Sequence, residues 1–307
     1  MRGQTWTPAE ELLLRELVQQ GKQPFEIYNL FREKGIRRTH RAVERKIQES
    51  RYRDPQTWRP QIPRSEMPRF NEPLVVTGDA LVWADIHAPC HDAGWMDRTA
   101  NLAIRWGIDN LIIAGDFADF NSFSVFGREA GIDANQELKT LSHLMDALSK
   151  TFCVYYFAGN HDTRPVKALK ESGLDVRWII RMFEPKDAEL YVSNYFWCEL
   201  ISANECYQIE HPKPTSIHAT VVPKKLAEKY GRHIIGAHGH TWGQSIDISG
   251  RYWAIDSGVC ADPIRMGYIQ QCHNTRPEVV QGAVIVRDGI PILLGKENIA
   301  FYESMKI

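Results

Sequence analysis

Apolar positions along the chain keep one rhythm up to about residue 53 and another from residue 74 onward. In the first stretch they recur at helical spacing. Thr7-Pro8-Ala9-Glu10 reads as an N-cap, a proline at the first helical position and a glutamate closing a capping box, after which Leu12, Leu13, Leu17 and Val18 fall on one face. Gly21 is expected to end that helix. A second helix is predicted over Pro24 to Lys34, with Ile27, Leu30 and Phe31 turned inward. A third, capped by Thr39, buries Ala42, Val43 and Ile47. From Leu74 the pattern becomes short apolar runs, each ending in polar residues: "ALVWADIH", "NLIIAGD" and "FCVYYFAGNHD". Helical stretches separate them, roughly residues 94–106 and 135–150. That alternation predicts βαβαβ units, hence a buried and largely parallel sheet whose ligands collect beyond the carboxyl ends of the strands. Between the two rhythms, residues 55–73 are proline-rich and aperiodic, which predicts an extended, semi-stiff linker. Three segments are therefore expected: a three-helix unit over 1–54, the linker, and an α/β unit over 74–307.

Charge sharpens that division. Residues 1–64 carry 14 Lys and Arg against 8 Asp and Glu, so a basic head precedes an acidic remainder. Such asymmetry marks contact with nucleic acid or another anionic surface confined to one unit. The 307-residue chain is 43% hydrophobic and 24% charged, ordinary values for a globular protein. No apolar run approaches the roughly 18–20 residues of a membrane span, and the N-terminus turns acidic and helical within ten residues, unlike a signal peptide. A cytoplasmic location is the expectation. Cys90, Cys153, Cys198, Cys206, Cys260 and Cys272 show no CxxC spacing, which argues against a disulfide frame or a zinc ribbon. No internal repeat is evident.

The head's "W-T-x-x-E-E" opening and "G-x-x-R-T-x-x-A-V-x-x-K-I" closing resemble a helix-turn-helix domain of the Myb-like kind, over about 50 residues. The resemblance implies DNA as partner, with the third helix in the major groove and Arg37, Arg38, His40, Arg41, Arg45 and Lys46 as the contacts. The competing reading is a small helical association module with a solvated basic face.

Each polar strand end alone is common turn chemistry. Together and in order, D-x-H at Asp85 and His87, G-D-x-x-D from Gly115 to Asp119, G-N-H-D from Gly159 to Asp162, a later strand-end histidine and a final G-H resemble the calcineurin-like metallophosphoesterases of the bacterial and phage type. The resemblance covers about residues 74–295. It implies a four-layer α-β-β-α sandwich and two divalent ions, Mn2+ first among candidates, with Fe, Zn, Ni and Mg as others. By the resemblance Asp116 bridges the ions, Asp85 and His87 serve the first, and Asn160 serves the second. His161 protonates the leaving oxygen or stabilises its charge, and Asp162 orients His161. Asp119 is a further supporting carboxylate, and His91 either touches the substrate phosphate or caps a loop. For the strand-end histidine, a strand over Cys206 to Glu210 delivers His211, whereas His218 lies within the following loop. The tail strands "YWAIDS" and "GAVIVRDG" are expected to close the second half of the unit.

"HIIGAHGHTWGQS" admits two frames. One makes His240 the second-ion ligand, puts Trp242 where a last histidine usually stands and leaves His238 in the strand; a glycine is wanted where the backbone turns sharply, which favours this frame. The other pairs His238 with His240. In the first frame the first ion is left short of nitrogen ligands. The expected function is a dinuclear phosphoester hydrolase acting on DNA, as a nuclease, phosphodiesterase or DNA-end phosphatase delivered by the head. The alternatives are a phosphatase or cyclic-nucleotide phosphodiesterase on another substrate, and a DNA-binding regulator whose esterase unit is a scaffold. Oligomeric state is not legible.

Overall fold

The computed structural model describes residues 5–55, 58, 72–124, 133–169, 176–185, 189–270 and 278–305. The expected linker falls almost wholly outside them. The chain divides into two compact units, residues 1–70 and 71–307.

The first unit holds α1 (Pro8–Gln19), α2 (Pro24–Glu33) and α3 (His40–Arg53). The capping box is present: the Glu10 N–H donates to Thr7 Oγ1, and the Thr7 N–H donates to Glu10 Oε2 at 2.7 Å. Leu14, Leu17, Val18, Ile27, Phe31, Val43 and Ile47 form its core. Leu12, expected inside, is 48% exposed, because the buried stripe runs through Leu14 instead. Two of the expected DNA contacts belong to the framework of the unit. Arg38 is only 5% exposed; its Nε and Nη2 donate to the Glu10 carboxylate at 3.0 and 2.7 Å, and its guanidinium lies 4.6 Å from the Trp6 ring. Lys46 pairs with Glu11. Arg45 pairs with Glu49 yet stays 81% exposed, and Arg37 and Arg41 are exposed as well. His40 leans on the rings of Phe25 and Tyr28.

The bond to Arg38 holds Glu10 down at about 2. Its folded pKa is depressed, so the stabilisation is complete above the ordinary glutamate value near 4.5 and is lost as pH falls toward 2. Arg38→Ala should cost the head about 2 kcal/mol, the scale of charged hydrogen bonds. Faster amide exchange over residues 8–19 and 40–53 of the full chain would show it; unchanged protection would remove Arg38 from the framework.

The second unit runs β1 (Leu74–Thr77), β2 (Ala80–Trp83), α4 (Ala93–Arg105), β3 (Asn110–Ala114), α5 (Ala134–Ser149), β4 (Cys153–Phe157), α6 (Arg164–Ala168), α7 (Val176–Ile180) and β5 (Leu190–Ser193). Then follow β6 (Trp197–Ser202), β7 (Glu205–Glu210), α8 (Val221–Tyr230), β8 (His233–Gly236), β9 (Trp242–Ile246), β10 (Trp253–Ser257), α9 (Gly267–Gln270), β11 (Gly282–Arg287), β12 (Ile290–Gly295) and α10 (Ile299–Ser304). They build two six-stranded sheets, ordered β12-β11-β2-β3-β4-β5 and β1-β6-β7-β8-β10-β9. β2 to β5 are parallel, as the βαβ rhythm predicts.

Alternation decides the layers. Val82, Ile112, Ala114 and Phe157 of one sheet meet Val76, Leu200, Ile209, Ile235 and Ile255 of the other in a shared core. Leu81, Trp83, Leu111, Ile113, Val154 and Tyr156 point the opposite way, onto Leu102 of α4, Leu141 and Met145 of α5 and Ile299 of α10. On the far side of the second sheet α8 lies against β8 and β10, burying Pro223 and Ala227. The fold is therefore the expected four-layer α-β-β-α sandwich.

The tail departs from expectation. β10 does join the second sheet, but β11 pairs antiparallel with β2 and extends the first. Trp242 explains part of that arrangement. Gly282 and Gly295 face each other across the β11–β12 hairpin, and a Cβ on them would come within 2.6 and 2.9 Å of the indole. The indole Nε1–H donates to the Leu294 carbonyl at 2.9 Å. Trp242 thus ties β9 to the hairpin.

Candidate metal centre

β2, β3 and β4 stop in register, Trp83 opposite Ile113 and Ala114 opposite Phe157. In the other sheet β7 and β8 also stop together, Glu210 opposite Gly236. The residues just beyond these ends converge: Asp85 and His87, Asp116 and Asp119, Asn160 to Asp162, His211, and His238 with His240. Asp85, His87, Asp116, His238 and His240 take positive φ, between 46° and 68°. The left-handed region costs an L-residue roughly 1–2 kcal/mol, and Asp and His tolerate it better than most. Five such residues in one cluster mark strain kept for a purpose.

Three groups of ligand-type atoms form: Asp85, His87 and His240; Asp116, His211 and His238; and His87, Asp119 and His161. The first two face each other across Asp116, whose Oδ2 lies 3.5 Å from His211 Nε2 and 3.9 Å from both His87 Nε2 and His161 Nε2. Asn160 joins the second group, with Oδ1 2.9 Å from His211 Nε2. The third group is an orienting set. Asp119 Oδ1 takes Nδ1–H from His87 at 3.1 Å and from His161 at 2.9 Å, which turns Nε2 of each ring toward the other groups.

Several features fit these residues to cations. Among the described residues Asp85 Oδ1 and Asp116 Oδ2 are buried and have no hydrogen-bond partner, a costly state for a carboxylate unless a positive charge meets it. With its proton on Nδ1, which lies 3.1 Å from the Ala114 carbonyl, His211 leaves Nε2 as an acceptor. Nε2 and Asn160 Oδ1 then face each other lone pair to lone pair, an arrangement a shared cation satisfies. Burial works against the Asp85 carboxylate, yet the His240 ring beside it holds Asp85 well below the usual range. Asp116 is lowered in the same way, against its burial, by His211, His161 and His87. Burial also opposes charge on His87, but its bonds to Asp119 and Asp85 raise it to about 10. The cluster thus draws positive charge toward its carboxylates, and a mixed nitrogen and oxygen donor set suits first-row divalent ions better than Mg2+.

The geometry corrects two expectations from the sequence. First, β8 ends at Gly236, so His238 is outside the strand, and Gly239 has no positive φ; His238 and His240 on either side of it do, at 68° and 58°. The sharp turns fall on the histidines themselves. His240 Nε2 approaches Asp85 Oδ1 at 3.2 Å, in the first group, while His238 enters the group of Asp116. Both His238 and His240 thus reach the cluster, the placement of the shifted frame, while Trp242 lies against the β11–β12 hairpin. The alternation of two histidines around one glycine was the available signal. Second, Asp162 does not touch the His161 ring. Its carboxylate accepts the backbone N–H groups of Asp116, Gly159 and Ala118 at 2.7, 2.8 and 3.1 Å, bracing the loop that carries Asp116. Asp119 orients His161 instead.

Gly159 belongs to the same brace, since a Cβ there would collide with the Asp116 carboxylate and amide. His211 is buried in the cluster, whereas His218 is exposed. His91 stands apart, bridging to Ala261. Sequence reasoning also passed over Arg164, whose Nη1 donates to the Asp119 carbonyl at 2.8 Å and Nη2 to His161 Nε2 at 3.1 Å.

No model of a known protein family matches the chain, and no curated protein sequence matches it. Among solved structures it is similar to the phosphoesterase YfcE from E. coli, at 13% identity and a TM-score of 0.38, covering 71% of this chain and 98% of that one. It is similar too to vacuolar protein sorting 29 from Cryptosporidium parvum, at 10% identity and 0.35 over 71% and 95%. The nuclease MPE from Pseudomonas putida aligns at 14% identity and 0.32 over 70% and 87%. Among the described residues no helix is long and apolar enough to cross a membrane.

Proposed function

We propose that this chain is a metal-dependent phosphoester hydrolase of the calcineurin-like type, holding two divalent ions, Mn2+ foremost, and acting on DNA engaged by its helical head. The observation that carries the hydrolase reading is Asp116. Its unpartnered Oδ2 stands between the group of Asp85, His87 and His240 and the group of His211, His238 and Asn160. When bound, the two ions supply Lewis acidity toward phosphoryl oxygens and a nucleophile at neutral pH. The chain's own residues do the rest. Asp119 orients the rings of His87 and His161, and Asp162 fixes the backbone of the Asp116 loop. His161 turns Nε2 toward Asp116 Oδ2, where it is placed to meet charge developing on the leaving oxygen.

The DNA part rests on the head's charge and on exposed Arg37, Arg41 and Arg45. Arg38 and Lys46, being paired with Glu10 and Glu11, contribute to its folding. The alternative of a head that serves only association draws on the same two pairings.

One purified preparation tests both parts. Metal-stripped and Mn2+-loaded protein are compared on single- and double-stranded DNA, p-nitrophenyl phosphate and bis-p-nitrophenyl phosphate. Metal-dependent turnover of DNA and the diester is the expected result. Absence of bound Mn2+ and of turnover would sink the hydrolase reading. Turnover of the small esters without DNA binding at low salt would leave a phosphoesterase with a different substrate, because phosphate-neutralising contacts are strongest there.

A further inference from the structure

We propose that Arg164 is the residue that holds the substrate's phosphoryl group against this centre, an assignment that rests on the hydrolase reading above. Arg164 opens α6 directly after the Gly159-to-Asp162 loop, which is tightened by Thr163 Oγ1 donating to the Asn160 carbonyl at 2.8 Å and by the Arg164 N–H donating to the His161 carbonyl at 2.9 Å. The side chain is 19% exposed, at the margin of the buried cluster.

A bland explanation is that Arg164 neutralises Asp119. The distances oppose it. Asp119 Oδ1 is taken by His161 and His87 at 2.9 and 3.1 Å, while the nearest guanidinium nitrogen stands 3.8 Å away. The two short contacts of Arg164 go to the Asp119 carbonyl and to His161 Nε2, neither of them a carboxylate. These anchor the group without cancelling its charge. A guanidinium carries five N–H donors, and among the described residues those not used on Asp119 and His161 have no acceptor. No other Lys or Arg among the described residues pairs with a member of the cluster.

The position suits an anion. His161 Nε2 lies between Arg164 Nη2 at 3.1 Å and Asp116 Oδ2 at 3.9 Å, so the guanidinium is one imidazole edge away from the carboxylate that joins the two groups. A planar, permanently charged fork matches phosphoryl oxygens, and charge spread over those oxygens is what a phosphoryl-transfer site must stabilise. Arg164 therefore touches substrate, and its contact to His161 keeps it in place.

The test uses inorganic phosphate as probe and calorimetry as readout, on the Mn2+-loaded full chain and on Arg164→Ala and Arg164→Gln. Both variants are expected to keep the wild-type Mn2+ content and to bind phosphate about ten- to a hundredfold more weakly, the range for losing a charged hydrogen bond. A purely structural role would not move phosphate affinity at constant metal content. Wild-type phosphate affinity in either Mn2+-loaded variant overturns the assignment. Loss of Mn2+ from both variants also overturns it, by placing Arg164 in the support of the metal groups. If the wild-type chain itself retains no Mn2+, it is the hydrolase reading that fails, and this assignment falls with it.

Discussion

Asp116→Asn is expected to abolish metal-dependent turnover while leaving the metal-free chain folded. Asp116 is fully buried, its Oδ1 accepts the His161 N–H at 2.7 Å, and among the described residues its Oδ2 has no hydrogen-bond partner. Asparagine keeps the first interaction. At the second position it replaces a charged oxygen, 3.5 Å from His211 Nε2, with an NH2 group. Without metal, the substitution removes a charge that the neighbouring histidines hold ionised but keeps the bond to the His161 N–H, so the fold is expected to persist at some cost in stability. With metal, it removes the carboxylate that, among the described residues, stands between both groups. Several kcal/mol of transition-state stabilisation go with it, about a thousandfold or more in rate. Thermal unfolding with and without Mn2+ separates the two effects. The wild type should gain stability on loading, about 2.7 kcal/mol at a hundredfold excess over the dissociation constant, and the variant should gain little. A variant that is stabilised by Mn2+ as much as the wild type would displace Asp116 from the centre.

How much of this was legible before the fold depends on how far each feature reaches along the chain. The parallel strands β2, β3 and β4 and the ligands at their ends follow from local period and turn chemistry, and the structure places Asp85, His87, Asp116, Asn160, His211 and His240 in one cluster. The capping box at Thr7 is equally local. What escaped is decided elsewhere. β11 and β12 join the first sheet because β11 finds β2 about 200 residues earlier in sequence, which no periodicity announces. Arg38 reads as a basic surface residue until Glu10, 28 positions away, is folded against it. Asp162 sits beside His161 in sequence, but neighbours on a tight loop point apart. The carboxylate that reaches the ring comes from Asp119, across from β4.

His238 shows the same limit in backbone terms and yields the second large effect. A glycine in a turn invites the assumption that it supplies the strained conformation, yet Gly239 is flanked by two histidines that adopt positive φ themselves, so both side chains swing off the strand and into the cluster. They reach different groups. His240 Nε2 stands 3.3 Å from His87 Nε2 and 3.2 Å from Asp85 Oδ1, whereas the His238 ring lies against His211, centroids 4.9 Å apart, and groups with Asp116. Each substitution to alanine should therefore cost one ion and spare the other. His240→Ala empties the side of Asp85 and His87, and His238→Ala the side of His211 and Asn160. Loss of either ion removes half of the clamp on the phosphoryl group, and turnover should fall by about a hundredfold or more in both. Elemental analysis should find about one Mn2+ per chain in each variant against two in the wild type, with the exchange-coupled Mn2+ resonance of the wild type replaced by that of an isolated ion. Should His238→Ala retain both ions and the coupled signal, the frame that leaves His238 outside the centre would return, and Trp242 would again stand where a ligand is missing.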